Sequence, residues 1–237
     1  GKGYALKVGF RKALDKGFSY AITLDGDGQH YPENIPLFLK ANQKHPHALI
    51  VGSRQLDGVC RSKGSSFANK FSNFWFYVQT GKALDDTQTG YRLYPLHKLY
   101  GLLFLTSRYE AELELLVFAS WHGVKIVPIS VQVYYPPREE RVSHFRPTKD
   151  FVRISVLNTV LCFLAIVYGL PLRLWRFFTS CLQTVYSLLF FLFFTLVVFT
   201  PFVWIYTKVG KMTEKKRYRL HQLIYFASRF VMIHHGI

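Results

Sequence analysis

The residues best suited to chemistry form the run Asp25-Gly26-Asp27-Gly28-Gln29-His30, directly after a short apolar segment at 20–24. Two carboxylates separated by one residue at the end of a strand can face the same hard cation. Gln29 adds a neutral oxygen donor, and the intervening glycines let the backbone turn tightly and a bulky ligand approach. The pattern predicts a partly hydrated Mg²⁺ or Mn²⁺ that keeps coordination positions for phosphate oxygens.

A calcium loop or a polar turn could also explain this run of residues. A calcium loop also opens with Asp-x-Asp, but it needs a glutamate at its twelfth position, and counting from Asp25 reaches Pro36. A calcium loop is therefore excluded. A polar turn between a strand and a helix, in which Asp27 and its neighbours only cap backbone groups, remains an alternative.

The segments around the run alternate between short apolar stretches and amphipathic ones, as in an α/β fold. Strands are predicted at 20–24, 49–51 and 125–133, and helices at 4–16, 32–44 and 110–121. Gly17 and Gly123 end the first and last of these helices, and Pro32 opens the second. Strands separated by helices predict a sheet with parallel connections, in which ligands bind beyond the carboxyl ends of the strands.

The last third of the chain predicts membrane helices. Residues 154–172 and 177–207 carry no charge, and a helix needs about 20 apolar residues to span a bilayer. Basic residues flank both stretches, so the positive-inside rule predicts a two-helix hairpin over 151–210 with both flanks in the cytoplasm. The first stretch contains polar residues and is the weaker span, or an interfacial helix; buried core helices are the alternative for both.

The charge balance fits the same picture. The net charge of +16, from 30 Lys and Arg against 14 Asp and Glu, suits nucleic acid, anionic lipid or phosphate-bearing substrates. Because the apolar residues concentrate in the last third, a membrane is the leading explanation and nucleic acid is not expected as a partner. The predicted location is a membrane with the soluble part on its cytoplasmic face, as in a bacterial inner membrane.

Four motifs occur in a recognisable order: Gly-Lys-Gly at 1–3, Leu-Asp-Gly-Asp-Gly-Gln-His at 24–30, Gly-Ser-Arg at 52–54 and Asp-Thr-Gln-Thr-Gly-Tyr-Arg at 86–92. Together they resemble the family-2 inverting glycosyltransferases, most of all the dolichyl- and polyprenyl-phosphate sugar transferases. The resemblance covers about residues 1–150. It implies a Rossmann-like, type-A glycosyltransferase fold, a nucleotide-sugar donor, a divalent metal and a membrane lipid acceptor such as a polyprenyl phosphate.

The resemblance also implies roles for individual residues. The metal on the donor diphosphate is implied to be held by Asp25, Asp27 and Gln29. Arg61 and Ser65 are implied to contact the acceptor lipid phosphate, with Arg54 close by. Donor or acceptor binding is also implied for Gln29, Arg138, Arg141 and Ser143. The last three belong to a loop expected to close over the site, and Asp27 counts among the catalytic residues.

The limits of the resemblance give further expectations. The family's first strand and helix, which bind the nucleotide base, precede Gly-Lys-Gly, so residues 1–150 are expected to be a fragment of a catalytic domain without its first βα units. The Gln-x-x-Arg-Trp motif of processive synthases does not occur, which favours transfer of a single sugar. From about Lys211 the chain resembles the start of a lysophospholipid acyltransferase domain, expected to be cytoplasmic at 211–237.

The acceptor decides whether a base is needed. A lipid phosphate is already ionised at neutral pH, whereas a lipid or glycan hydroxyl needs a carboxylate to take its proton. Asp86 is the candidate base, and a turn in which Asp85 and Asp86 cap the next segment is the alternative. Outside this class, a phosphodiester hydrolase would need more ligands than the adjacent His30, and a non-enzymatic membrane scaffold leaves the four motifs unexplained.

The sequence allows two explanations for each of two helix faces. An apolar face is formed at helical spacing by Phe67, Phe71, Phe74, Trp75 and Val78, and either core packing or a lipid-lining groove would explain it. Acidic residues in the first turn of a helix favour its dipole, which is one explanation of Glu110, Glu112 and Glu114. One of these glutamates facing the site is the other.

Overall fold

The structure is a computed structural model that describes residues 1–54, 63–102, 106–134 and 147–234. The chain divides into two units, Gly1–Arg173 and Leu174–Ile237. The first unit holds the sheet and the candidate site, and the second is helical in its described part.

The first unit alternates helices and strands as the sequence predicts. Its first half contains α1 (Lys2–Asp15), β1 (Tyr20–Thr23), a 3₁₀ turn (Pro32–Asn34), α2 (Ile35–Lys44), β2 (Leu49–Arg54) and α3 (Lys63–Thr80). Its second half contains β3 (Arg92–Pro95), α4 (Leu96–Leu99), α5 (Glu110–Trp121), β4 (Ile126–Val131) and α6 (Pro147–Leu164). Gly17 adopts a φ of 81° and Gly123 one of 74°, so both glycines end their helices in the left-handed conformation that the sequence predicts.

The four strands form a mixed sheet in the order β1-β3-β2-β4. β2 and β4 are parallel, whereas β3 lies antiparallel to both β1 and β2. The prediction of parallel connections is therefore correct for β1, β2 and β4, which run in the same direction. The sequence did not predict β3, which lies antiparallel between β1 and β2. A mixed α/β sheet of this kind fits the predicted type-A glycosyltransferase fold.

The core lies on both faces of the sheet because side chains alternate along each strand. In β2, Ile50 points to the face covered by α2, where it packs with Phe38 and Tyr91. Its neighbours Leu49 and Val51 point to the opposite face, which is covered by α1, α3 and α5. α5 is buried along nearly its whole length, which makes it the central helix of this unit.

The apolar face of α3 is largely exposed. Phe67, Phe74 and Val78 are exposed. Among the described apolar side chains of α3, Phe76, on another side of the helix, is the one that is fully buried. Core packing is therefore the wrong interpretation for these three positions. Exposed aromatic residues on a basic protein fit a surface that contacts lipid.

α6 packs against the globular core through polar as well as apolar groups. Gln79 of α3 donates a hydrogen bond to the Asn158 side chain at 3.0 Å, and Trp121 Nε1 donates to the Gln79 carbonyl at 2.8 Å. Leu157 and Leu161 are buried beside them. The first uncharged stretch is therefore joined to the globular core at its beginning.

The helix continues without a turn. A π-helical segment (Ala165–Gly169), α7 (Leu170–Phe193), a second π-helical segment (Phe194–Phe199) and α8 (Thr200–Lys208) follow one another directly, and α9 spans Glu214–His234. Among the described residues, one helix, Val152–Lys208, is long and apolar enough to cross a membrane. The predicted two-helix hairpin is not confirmed, because the backbone stays helical through Arg173 and Arg176.

Candidate active site

The run that follows β1 forms a pinned turn at the carboxyl end of that strand. The Thr23 hydroxyl donates to the Gly90 carbonyl at 2.8 Å, and the Gln29 carbonyl accepts from the Tyr134 amide at 2.8 Å. Within the turn, the backbone amide of Gln29 donates to Oδ1 of Asp27 at 3.0 Å. The exposed Asp27 carboxylate is thereby oriented at the position where sequence reasoning expects a ligand site.

Asp25 lies deeper than Asp27, between a lysine and a histidine. Its Oδ1 is paired with the Lys2 ammonium, and its Oδ2 lies 3.5 Å from Nε2 of His30. Lys2 also contacts Oε2 of the buried Glu112 at 2.7 Å. The four side chains Lys2, Asp25, His30 and Glu112 form one charged cluster, which we call the Lys2 cluster.

The ionisation states follow from this pairing. Burial would raise the pKa of the Asp25 carboxyl, but the hydrogen bond from His30 and the charge of Lys2 outweigh it and hold the pKa well below its ordinary value. Burial would lower the pKa of Lys2, but the charges of Glu112 and Asp25 outweigh it and raise that pKa. Both groups are therefore charged at neutral pH.

Gly90 allows the Asp25 carboxylate to lie against the backbone of the neighbouring loop. A Cβ at this position would lie 2.5 Å from Oδ2 and 2.6 Å from Oδ1 of Asp25, closer than van der Waals contact allows. Only glycine leaves room for the carboxylate here.

Substitution Gly90→Ala is therefore expected to displace Asp25 and to lower the kcat/KM of the reaction at this site by about 100-fold, because misplacing a site group by about 1 Å has effects of that size. Gly9→Ala is the matched control, since its Cβ would meet nothing within 4 Å. Equal kcat/KM values for Gly90→Ala and Gly9→Ala would contradict this role of Gly90.

The loop at 86–91 is held by the buried side chain of Arg92, the first residue of β3. Its guanidinium donates to the carbonyls of Thr87, Thr89 and Glu112, each at 2.8 Å, and is fully buried. One side chain thus fixes the loop that carries Asp86 and Gly90 to the helix that carries Glu112.

The Asp86 carboxylate forms a two-point ion pair with Arg54. Nε and Nη2 of Arg54 donate to its two carboxylate oxygens at 2.6 and 2.8 Å, and Asp86 is 1% exposed. The Gln88 amide also donates to Oδ1 at 3.3 Å, as expected for a turn in which Asp86 caps the next segment. The pair links β2 to the 86–91 loop, and it engages the carboxylate that sequence reasoning puts forward as a base.

The structure brings some of the predicted site residues together and leaves others outside the described ranges. Asp25, Asp27 and Gln29 share one turn, and Arg54 and Asp86 form one pair. Outside the described residues lie Arg61, Arg138, Arg141 and Ser143. Ser65 lies in α3, but its side chain is not among those described, so the roles of these five residues stay predictions.

Sequence reasoning missed Lys2 as a site residue. It lies in the Gly-Lys-Gly motif, whose glycines permit contact with the segment before α5: the Gly3 amide donates to the Arg108 carbonyl at 3.2 Å. A Cβ on Gly3 would lie 2.4 Å from that of Ala111. A lysine between two glycines was the available signal. Of the three glutamates considered, Glu112 is the one that reaches the Lys2 cluster.

The donor set suits a magnesium-like ion whose other ligands are water or substrate phosphates. Among the described residues, no group of three or more His, Cys, Asp and Glu side chains is arranged to hold a metal. Mg²⁺ in phosphate-transfer sites commonly uses one or two carboxylates, with water and substrate phosphates as the remaining ligands. Asp27, Gln29 and Asp25 fit that chemistry, and the Lys2 ammonium already occupies Asp25 as a stand-in cation.

Comparison with known proteins shows which proteins this chain is similar to. Residues 1–93 match the family described as Glycosyl transferase family 2. An undecaprenyl-phosphate mannosyltransferase from Micrococcus luteus is 31% identical over 97 residues, which cover 40% of this chain and 39% of that protein. A UDP-N-acetylglucosamine–dolichyl-phosphate N-acetylglucosaminyltransferase from Methanococcus voltae is 28% identical over 141 residues, covering 57% and 56%. A polyprenol monophosphomannose synthase from Mycolicibacterium smegmatis is 33% identical over 101 residues, covering 40% and 36%.

These matches support the predicted class of enzyme. Residues 1–93 match a family-2 glycosyltransferase domain, and three similar proteins are named as sugar transferases or synthases. The chain spans between 36% and 56% of the lengths of the three relatives. The family match ends at residue 93, so the acyltransferase-like segment at 211–237 stays a prediction.

Proposed function

We propose that the protein transfers a single sugar, with inversion at the anomeric carbon, from a nucleotide-sugar to a polyprenyl phosphate at a membrane surface. The observation that carries the proposal is the exposed Asp27 carboxylate, oriented by the Gln29 amide at the carboxyl end of β1 inside a family-2 domain. The acceptor is supported by the three similar proteins, which are named for undecaprenyl phosphate, dolichyl phosphate and polyprenol monophosphomannose.

The proposed cofactor is Mg²⁺ or Mn²⁺. Asp27, Gln29 and Asp25 would hold the ion on the donor diphosphate, where it would offset the negative charge that builds up as the nucleoside diphosphate departs. The chain's own contribution is to fix Asp27 in the turn and to keep Asp25 ionised through Lys2 and His30.

A phosphate acceptor suits this site better than a hydroxyl acceptor. A hydroxyl needs a base within hydrogen-bonding reach, and the candidate Asp86 is buried with both carboxylate oxygens bound by Arg54. A lipid phosphate needs no base because it is ionised at neutral pH. Transfer to a lipid or glycan hydroxyl remains the second candidate within this class, with Asp86 released from Arg54 as its requirement.

The membrane location rests on the helix and on α3. The 57-residue apolar helix Val152–Lys208 exposes large hydrophobic side chains along much of its length, and α3 exposes Phe67 and Phe74. Both features favour an acceptor that is itself a lipid. We place the catalytic domain on the cytoplasmic face, because basic residues flank the uncharged stretches.

The test is sugar transfer by the full chain in detergent or liposomes, with labelled nucleotide-sugars and Mg²⁺. A panel of donors is offered with polyprenyl phosphate or with the matching polyprenol. We expect labelled lipid product with the phosphate and little with the alcohol. Product from the alcohol alone would overturn the choice of acceptor, and hydrolysis of phosphodiesters without sugar transfer would overturn the reaction.

The substitution Arg61→Ala tests, in the same assay, whether this arginine contacts the acceptor phosphate. Charge-assisted hydrogen bonds to a phosphate contribute about 1.5–3 kcal/mol each, so this substitution is expected to lower kcat/KM for polyprenyl phosphate by roughly tenfold or more. The donor KM should change little, because Asp27 lies on the donor side. Unchanged acceptor kinetics would reject the assignment of Arg61.

A further inference from the structure

We propose that Lys2 is a resident cation which holds Asp25 until the metal binds and then transfers its contact to Glu112. This inference rests on the proposed metal site and assigns Lys2 as a positioning residue for it. The exchange involves one ion pair broken and one ion pair strengthened, with no proton transfer.

The starting point is the position of the Lys2 ammonium between two carboxylates. It contacts Oδ1 of Asp25 and, at 2.7 Å, Oε2 of Glu112. The Lys2 side chain is 25% exposed and that of Glu112 only 7%, so Lys2 pairs with a carboxylate that is deeper than itself. The buried Arg92 guanidinium also acts on Glu112 through its charge. A divalent ion on Asp25 and Asp27 would repel an ammonium at the same oxygen, which makes joint occupancy of Asp25 unfavourable.

Glu112 offers the place to which the ammonium can move. Its Oε1 is buried and has no hydrogen-bond partner among the described residues, although Oε2 is bound by Lys2. A buried carboxylate oxygen without a donor is unfavourable in the present state. Lys2 has three N–H donors, so it can bond both oxygens of Glu112 once Asp25 is taken by the metal.

The backbone around Lys2 is fixed while its side chain is not. The amides of Gly3 and Tyr4 donate to the Arg108 and Ser107 carbonyls at 3.2 and 3.1 Å, which anchors the start of α1 to the segment before α5. The lysine side chain has four rotatable bonds between this anchor and its ammonium. The exchange is therefore a change of rotamer, and it leaves α1 and α5 in place.

The experiment is a double-mutant cycle on Mn²⁺ affinity, measured on the full chain in detergent without nucleotide-sugar. Free Mn²⁺ is quantified by electron paramagnetic resonance for the parent, Lys2→Met, Glu112→Gln and the double variant. Lys2→Met removes the competitor and is expected to tighten Mn²⁺ binding by about tenfold. Glu112→Gln removes the second position for the ammonium and is expected to weaken Mn²⁺ binding by a similar factor.

The double variant separates the exchange from simple charge effects. If Lys2 moves to Glu112, then Glu112→Gln has little effect on Mn²⁺ affinity once Lys2 is methionine. If Glu112 acts only as a nearby negative charge, its substitution weakens Mn²⁺ binding in both backgrounds, and this result would overturn the proposal. A neutral or weakening effect of Lys2→Met would overturn it as well.

Two controls separate this proposal from the proposed function. Lys12→Met removes an exposed cation from the same helix and should leave Mn²⁺ affinity unchanged. Asp27→Ala should weaken Mn²⁺ binding in every background. If Asp27→Ala has no effect and no variant binds Mn²⁺, both the metal site and the exchange are wrong. If Asp27 matters while the cycle is additive, only the exchange is wrong. The double variant removes one positive and one negative charge, so the net charge of the Lys2 cluster is unchanged. Its melting temperature, compared with that of the parent, reports whether the fold persists.

Discussion

Replacing Asp27 with alanine is expected to reduce sugar transfer by at least about 100-fold while leaving the melting temperature close to that of the parent. A metal at a departing diphosphate contributes several kcal/mol to the transition state, which sets this magnitude. The fold should persist because Asp27 is exposed and its hydrogen bond, from Gln29, is local to the turn.

The measurement is initial transfer rate against Mg²⁺ or Mn²⁺ concentration, together with thermal unfolding. Asp15→Ala, which removes another exposed aspartate, serves as the control and should keep the parent rate. Full transfer in excess chelator would contradict the metal assignment. A large fall in melting temperature would instead make Asp27 a structural residue of the turn.

The second large effect is expected at Arg92, and it concerns stability. Arg92→Met leaves the carbonyls of Thr87, Thr89 and Glu112 without their buried donor. Loss of several charge-assisted bonds in a buried site should lower the free energy of unfolding by about 3–5 kcal/mol. For a domain of this size, the melting temperature should fall by roughly 10 °C.

Arg92→Lys and Arg11→Met complete the stability experiment. Lysine keeps the charge but lacks the planar fork that reaches three carbonyls, so it should recover only part of the loss. Arg11 is exposed on α1, so its substitution should change the melting temperature little. A parent-like melting temperature for Arg92→Met would show that the loop at 86–91 is held by other contacts.

The fold was predictable wherever local signals agree with tertiary packing. α5 begins at Glu110 and ends at Trp121 as predicted, because its apolar run and Gly123 mark both ends. β3 was missed for the opposite reason. It has only four residues, starts with a charged arginine and ends with a proline, so its strand character comes from pairing with β1 and β2 rather than from its own pattern.

The sequence predicts the candidate metal ligands of the site, but not the residues that form ion pairs with its carboxylates. Asp25, Asp27 and Gln29 stand close together in sequence, so spacing alone suggests a shared turn. Lys2 and Asp25 are 23 residues apart, and Arg54 and Asp86 are 32 apart. Pairs at such separations depend on how α1, α5 and the sheet pack, which composition and periodicity do not encode.

The antiparallel insertion of β3 also affects how the protein is made. β1 has no neighbour in the described sheet other than β3, whose last residue is Pro95. A ribosome adds about 5–20 residues each second, so the roughly 70 residues between the two strands take on the order of 4–14 s. During that interval β1 lacks the partner that it has in the described sheet. The carboxylate turn is tied to the 86–91 loop by the Thr23–Gly90 hydrogen bond, so it should acquire its final shape only after residue 95 leaves the ribosome.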